Sequence, residues 1–415
     1  MRIWLFKLGE PLPIDGAVRL HRYGTLAKML VASGHDVTWW TSTFNHVHKT
    51  QRFDQNRTVQ IENNYRLELI HAKGYTKNVS VARVIHHMSV SRSLSRKLGR
   101  ETPPDVILSS FPTAEVCWSV QKYAEEIGIP TIVDIRDLWP DAFLSIIPDG
   151  YHNMIKSGLS FFYRQNRRVF ERATGLIATS SDYLDWGLRH SGRKQRAQDR
   201  VFYLGYQKTS VDTQTESTLR RELLSRGVDP AKTICCFVGT FGRTYDLETV
   251  IEAARALNQA GNLQYQFVLC GDGEKASALQ QLSEGLPNVV MLGWVSSSMI
   301  KVLIDMSKVG LVTYAVNAPQ SLPNKPFEYF SGGLPVVSSL SGELSIILSE
   351  WNCGVSYKAG SVESFLGALD EICKDQSRLS AMAQNAEKAY KRHFSASTVY
   401  PEMIKYLDEI AKRRL

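Results

Sequence analysis

Short runs of β-branched and aromatic residues alternate with longer segments of helical periodicity along this whole chain, and the alternation starts afresh near its midpoint. In the first half the runs are "RIWLFKL", "DVTWWTS", "RLELIHA", "DVILSS", "PTIVDIRD", "GLIATS" and "VFYLGY", with helices expected near 19–33, 79–99, 113–127, 153–173 and 181–191. In the second half "TICCFVGTF", "YQFVLCGDG", "VVMLGWV", "VGLVTYA", "LPVVSS" and "GVSYK" are followed or preceded by helices starting near 246, 275, 297, 324, 343 and 361. Apolar runs without polar alternation belong to strands buried on both faces, so the pattern demands a parallel sheet covered by helices, an α/β doubly wound domain. A chain of 415 residues also exceeds what one hydrophobic core sustains, about 250–300 residues. Two such domains follow, with the Thr-, Ser- and Gln-rich stretch 206–222 as the expected linker and two amphipathic helices, 376–391 and 397–414, closing the chain.

Composition is that of an ordinary globular protein, 43% hydrophobic and 22% charged. No apolar run reaches the roughly 18–20 residues of a membrane-spanning helix, and "MRIWLFKLGEPLP" lacks the features of a secretion signal, so a cytoplasmic location is expected. The six cysteines form no C-x-x-C pair, and Cys235-Cys236 sit in a core-strand pattern. Residues 1–205 carry 28 Lys/Arg against 19 Asp/Glu, whereas residues 206–415 carry 21 against 22. That asymmetry points to an anionic partner for the first half, a membrane surface or a nucleic acid.

Ligands of open α/β sheets bind beyond the carboxyl ends of the strands, so the loops after strands carry the expected function, in a cleft between the two domains. In "PNKPFEYFSGGLPVV", Pro326 suits a first helical turn, Glu328 lies in that turn and Gly332-Gly333 end the helix before a strand. Such a helix start attracts anions, Lys325 adds a full charge, and a carboxylate there either accepts hydrogen bonds from a vicinal diol such as ribose or simply caps the helix. "LCGDGE" places Gly271 and Gly273 in a tight turn, and Trp294 in "LGWV" offers a stacking face or fills core.

"PNKPFEYFSGGLPVVSSLSGE" is similar to the C-terminal signature of glycosyltransferase family 4, and other elements fall in the family's order: "RYGTLAKMLVASGHDVTWWTS", "PTIVDIRDLWPD", "LIATSSDYL", "FVGTFGRTYDLETVIEAA", "LCGDGE" and "LGWV". The resemblance implies the GT-B fold: an acceptor-binding domain at 1–205, a nucleotide-sugar-binding domain at 206–394, and a C-terminal helix, 395–415, returning to the first domain. It implies a retaining transfer from a nucleotide diphosphate sugar, UDP-linked by family habit, without a metal ion or other cofactor. Glu328 is then expected to hold the ribose hydroxyls, Gly332-Gly333 to lie near the diphosphate, and Asp15-Gly16 to form the glycine-bearing loop near the donor phosphates, if it is more than a turn. Gly271 and Trp294 are expected to flank the nucleobase.

Three departures from the family pattern matter. Gln320 stands where many members have a second glutamate, and Thr240 and Tyr245 stand where many carry phosphate-binding Arg and Lys. Arg243, preceded by Gly242, and Lys325 are the substitutes for stabilising the leaving diphosphate, because a guanidinium matches phosphate geometry and developing charge dominates the barrier. Arg136 replaces a histidine near the transfer centre, where it stabilises charge but cannot act as a base; Asp137 or Asp141 is then expected to meet the acceptor hydroxyl or to cap a local turn.

The basic excess gathers in "IKSGLSFFYRQNRRVFERATG", with Lys156, Arg164, Arg167, Arg168 and Arg172 among aromatic residues, and in "VARVIHHMSVSRSLSRKLGR", with Arg83, Arg92, Arg96, Lys97 and Arg100. Basic amphipathic helices suit peripheral contact with an anionic membrane and hence a lipid-linked or surface-glycan acceptor, although the same aromatics can instead pack inward. No nucleic-acid-binding module is recognisable. Rival readings are a nucleotide-sugar epimerase or hydrolase of the same fold, and a two-lobed sugar-binding protein without catalysis.

Overall fold

The computed structural model describes residues 1–16, 19–78, 80–144, 152–316, 318, 320 and 322–413. The chain forms two compact units, Met1–Leu204 with Val399–Leu415, and Gly205–Thr398.

The first unit contains ten strands among its described residues: β1 (Arg2–Phe6), β2 (Asp36–Ser42), β3 (Phe44–Asn45), β4 (Thr50–Gln51), β5 (Arg57–Glu62), β6 (Tyr65–Ile70), β7 (Val106–Phe111), β8 (Thr131–Ile135), β9 (Gly175–Ala178) and β10 (Arg200–Val201). Eight build one sheet in the order β10-β9-β8-β7-β1-β2-β6-β5. From β10 to β6 every neighbour is parallel, which explains the unbroken apolar runs; Val106–Phe111 is buried at every position. The aromatic core of one face is Trp4, Phe6 and Trp40, with Phe6 stacked on Trp40 at 5.8 Å between ring centres.

Three sequence expectations need correction here. The sheet is not wholly parallel, because β5 runs antiparallel to β6 at the edge; its sequence "RTVQIE" is half-buried and polar, too weak a pattern to read as a strand. "VFYLGY" contributes only Val201 to the sheet, as the second residue of strand Arg200–Val201. The expected helix at 153–173 is two helices, His152–Gly158 and Ser160–Arg172.

The strand order reverses between β1 and β7, so the loops after these two strands part at the sheet's carboxyl edge and leave a crevice, the switch point of doubly wound folds. A buried ion pair, Arg22 Nε to Asp134 Oδ2 at 3.0 Å, ties helix Arg22–Ala32 to β8, and Arg22 also donates to the carbonyls of Phe202 and Tyr203. The C-terminal residues join this unit through Tyr406, whose hydroxyl donates to Gln198 O at 2.6 Å and whose ring packs on Phe202.

The second unit has β11 (Thr233–Val238), β12 (Tyr265–Cys270), β13 (Val289–Gly293), β14 (Val309–Val312), β15 (Val336–Ser338) and β16 (Gly354–Ser356). All are parallel, in the order β13-β12-β11-β14-β15-β16, which is the dinucleotide-fold order with its reversal between β11 and β14. The stretch expected to be a linker is half helix: Thr213–Ser225, capped by the Asp212 side chain on the amide of Thr215. Its buried residue is Leu223, with Leu219 half-buried one turn before, a stripe too narrow to stand out in a polar sequence. The chain enters and leaves this unit side by side, Tyr206 N donating to Phe394 O and Ala396 N to Tyr206 O at 2.8 and 2.9 Å. Among the described residues no helix is long and apolar enough to cross a membrane.

Candidate functional site

In the second lobe the loops after β11 and β14 are laced together across the switch point. Ala315 N donates to Thr244 O at 2.9 Å, Asp246 N to Thr313 O at 3.2 Å, and the Tyr245 and Tyr314 rings lie 4.6 Å apart. Tyr245 is therefore part of the scaffold. After the β14 loop comes helix Lys325–Ser331, the crossover to β15, so its first turn lies on the carboxyl side of the sheet.

Glu328 sits in that turn, only 6% exposed. Its Oε1 accepts the Tyr206 hydroxyl at 2.8 Å and its Oε2 pairs with Lys325 Nζ at 2.8 Å. A carboxylate oxygen has more than one lone pair, so both oxygens keep capacity for a ligand hydroxyl while their direction is set by protein donors. Tyr206 is a residue that sequence reading missed; it belongs to the presumed linker and reaches Glu328 across 122 positions of chain. Lys325 is brought to Glu328, and its charge is shared with that carboxylate.

The glycines have distinct reasons. Gly271 lies so close to the loop after β11 that a Cβ would stand 1.8 Å from Gly239 O, and one on Gly273 would stand 2.8 Å from Phe241 O. These loops are joined by Gly239 N to Cys270 O at 2.9 Å and Phe241 N to Asp272 O at 2.9 Å. Gly242 faces open space, its hypothetical Cβ meeting only Thr240 at 3.8 Å. Arg243 beside it is 86% exposed, with a 3.2 Å pair to Glu274 that costs little to exchange for a ligand. Trp294 is 79% exposed, which removes the core-filling alternative. It follows Gly293, whose carbonyl accepts Gly271 N at 2.8 Å, so Gly271 and Trp294 share one rim, two strands from the switch point. Gly332 and Gly333 lie at the far end of helix Lys325–Ser331; Gly332 leaves room for Ile304, and Gly333, at φ 69°, turns the chain out of the helix.

In the first lobe a cavity of about 220 Å³ opens at the switch point, lined from the loops after β1 and β7, the ends of β2 and β8, and helix Val81–Lys97. Arg136 and Asp137 line it. Arg136 is paired with Glu10, whose other oxygen accepts Tyr23 N at 3.0 Å; burial favours neutral Glu10, but Arg136 and Lys7 hold it ionised. Asp137 is pushed up by burial, with Arg83 and Lys7 pulling the other way. Asp15 is not part of this lining. Burial works against its charge, yet a two-pronged pair with Arg52 at 2.6 Å and the amide of Leu12 bring it below the ordinary carboxylate range. That shapes the loop after β1, with Gly16 at φ 84°.

Asp141 is spoken for as well: it accepts Tyr163, Trp186 Nε1 at 2.7 Å and His190 Nε2 at 3.2 Å, and despite burial these bonds bring it to about 2. That cluster anchors local structure.

Sequence reading also missed Lys7, His46, His86 and His87, and placed Arg83 on a membrane-facing surface, whereas it turns into the cavity. Burial, with Lys49 and Arg83 adding, takes His46 down to about 4; burial, with Arg83 and His86 adding, takes His87 to about 3. Both imidazoles are neutral at pH 7. Of these four missed residues, Lys7, immediately after β1, is the one whose position after a switch-point strand could have flagged it.

The sequence matches two family models, Glycosyl transferase 4-like domain over residues 21–206 and Glycosyl transferases group 1 over residues 223–389. No curated protein matches it by sequence. Among solved structures, the chain is similar to sucrose-phosphate synthase from Thermosynechococcus elongatus, at 15% identity and a TM-score of 0.71 over 99% of this chain and 98% of that one. It is similar to Anabaena Alr3699/HepE in complex with UDP, at 16% identity and a TM-score of 0.68 over 98% and 99%; the same protein is also solved with UDP-glucose. WaaG, a glycosyltransferase involved in lipopolysaccharide biosynthesis, aligns at 14% identity and a TM-score of 0.66 over 98% and 99%. With one family model on each Rossmann-like lobe and neighbours that share the whole two-lobed architecture, this chain belongs to the GT-B glycosyltransferases of the family 4-like type.

Proposed function

We propose that this glycosyltransferase takes a UDP-linked hexose or N-acetylhexosamine and transfers it, with retention, to a hydroxyl of a lipid-linked or surface-polysaccharide acceptor. The observation that carries the reading is Glu328, buried in the first turn beyond the switch point and oriented by Tyr206 and Lys325, where an acceptor of ribose hydrogen bonds belongs. The UDP and UDP-glucose complexes of the Anabaena relative support the nucleotide, and the lipopolysaccharide role of WaaG supports the acceptor class.

Cleavage of the sugar C1–oxygen bond leaves negative charge on the departing diphosphate. Lys325, Arg243 and the amides of the helix start supply the compensating field without a metal ion. The departing phosphate takes the acceptor's proton as the acceptor oxygen bonds to C1 from the same face. In the first lobe, Arg136 contributes charge and Asp137 orients the acceptor hydroxyl. The exposed apolar residues Val81 (76%) and Ile85 (57%), one turn apart on helix Val81–Lys97, and Phe161 (62%) among the arginines of Ser160–Arg172, support peripheral docking on the inner face of the cytoplasmic membrane.

A thermal-shift panel of UDP-, GDP- and ADP-sugars tests the donor. At 100 times Kd the working donor adds about 2.7 kcal/mol, roughly 5–10 °C for a lobe of this size, and Glu328→Ala abolishes the shift. A panel in which no nucleotide sugar raises the melting temperature contradicts the reading.

A further inference from the structure

Buried donors without acceptors are rare in folded proteins, and each one calls for a reason. The first-lobe cavity holds one, beside a half-buried cation that has no ion-pair partner among the described residues. The Lys7 ammonium, half-buried after β1, has no hydrogen-bond or ion-pair partner among the described residues. Arg83 donates from Nη1 to Asn78 O at 2.8 Å, but its buried Nε has no partner. Both cations act on the same groups, Asp137, His46 and His87, so they stand around one space. Arg136 is paired with Glu10, so among the lining residues Asp137 is the carboxylate that faces Lys7 and Arg83, with Glu115 beside His87 also acting on Arg83.

The remaining lining suits a sugar. His86 Nδ1 lies 2.9 Å from Lys73 O; a carbonyl only accepts, so the proton is on Nδ1 and Nε2 is left as an acceptor for hydroxyls. Phe44 and Tyr75, 4.8 Å apart, supply aromatic surface for the apolar face of a pyranose. A volume of about 220 Å³ is many times that of one water, about 30 Å³, and fits a ligand of monosaccharide size.

We propose that this cavity takes an anionic sugar, an acceptor residue bearing a phosphate or a carboxylate whose charge is received by Lys7 and Arg83. The inference rests on the reading of the chain as a nucleotide-sugar transferase and specifies its acceptor. Burial brings Lys7 down to about 8, with Arg136 adding to the effect and Glu10, Asp134 and Asp137 only partly opposing it, so an incoming anion relieves a standing electrostatic cost.

The test is calorimetric titration of the full chain with glucose 1-phosphate, glucuronate, methyl glucoside and inorganic phosphate, with and without saturating UDP. One anionic sugar is expected to bind one-to-one with UDP present, at least tenfold more tightly than methyl glucoside or inorganic phosphate. Preference for glucose 1-phosphate identifies a phosphorylated acceptor, and preference for glucuronate an acidic sugar. Arg83→Gln and Lys7→Gln should each weaken that binding at least tenfold and leave UDP affinity unchanged. If Lys7→Gln fails to fold, Arg83→Gln, on a solvent-accessible helix, reads the same contact. Equal binding of methyl glucoside, equal binding of inorganic phosphate, competition by UDP, or no effect of Arg83→Gln each overturns the proposal. Failure of UDP itself to bind the unaltered chain sinks the donor reading of the second lobe instead, and the titrations without UDP still read the cavity.

Discussion

Replacing Gly271 by alanine perturbs the rim of the second lobe at one point and has a magnitude that can be worked through. The new methyl carbon would stand 1.8 Å from Gly239 O and 3.0 Å from Phe241 Cε1, where a real Cβ essentially never comes within 3.0 Å. The obstacle is a carbonyl of the main chain, so no rotamer change relieves it and the two loops must separate. Separation loosens Gly239 N to Cys270 O and Phe241 N to Asp272 O, both now 2.9 Å. At about 1 kcal/mol per hydrogen bond, with about 1–3 kcal/mol of residual overlap, the cost is about 3–5 kcal/mol. Gly242→Ala is the control, because its Cβ would meet only Thr240 at 3.8 Å, and it should stay within about 0.5 kcal/mol. Urea unfolding of both variants measures the difference, and UDP titration should show weaker binding for Gly271→Ala. A Gly271→Ala variant costing under about 1 kcal/mol, or two glycine variants that behave alike, would refute the close-approach argument.

Three further outcomes follow from the same geometry. Tyr206→Phe removes a 2.8 Å donor from the buried Glu328 carboxylate and should cost about 1.5–3 kcal/mol in urea unfolding together with a weaker UDP affinity; unchanged values would mean the hydroxyl does not orient Glu328. His87, held to about 3 when folded, takes up a proton only in the unfolded chain between about pH 6.5 and 3, so stability falls as pH drops through that window. The share lost by pH 5 is about 2 kcal/mol, and His87→Gln should remove it; an unaltered pH slope contradicts the assignment. Because burial and Arg136, against Glu10, Asp134 and Asp137, bring Lys7 to lose its proton near pH 8, affinity for the anionic sugar should decline as pH rises through 8, and a flat profile from pH 7 to 9.5 would exclude Lys7 from the contact.

The alternation of strands and helices was legible because parallel strands buried on both faces must be apolar throughout, as Val106–Phe111 and Tyr265–Cys270 are. What stayed hidden was polar or long-range. Helix Thr213–Ser225 buries a single leucine and reads as linker, and edge strand β5 lacks a buried face. The partners of the site residues lie far along the chain, Tyr206 from Glu328 and Arg52 from Asp15, and no local pattern encodes such pairs. Arg83 looks like one more charge on a basic amphipathic helix until the fold shows which face its side chain takes.

The central claim is that Glu328 receives the ribose hydroxyls of the donor nucleotide. Calorimetry of UDP and 2′,3′-dideoxy-UDP on the unaltered chain and on Glu328→Gln isolates that contact, because the comparison cancels any general loss of affinity. Hydrogen bonds to a charged acceptor contribute about 1.5–3 kcal/mol, so removing the hydroxyls should weaken binding about 10- to 150-fold in the unaltered chain and less than about threefold in the variant. The same ratio in both proteins would contradict the account.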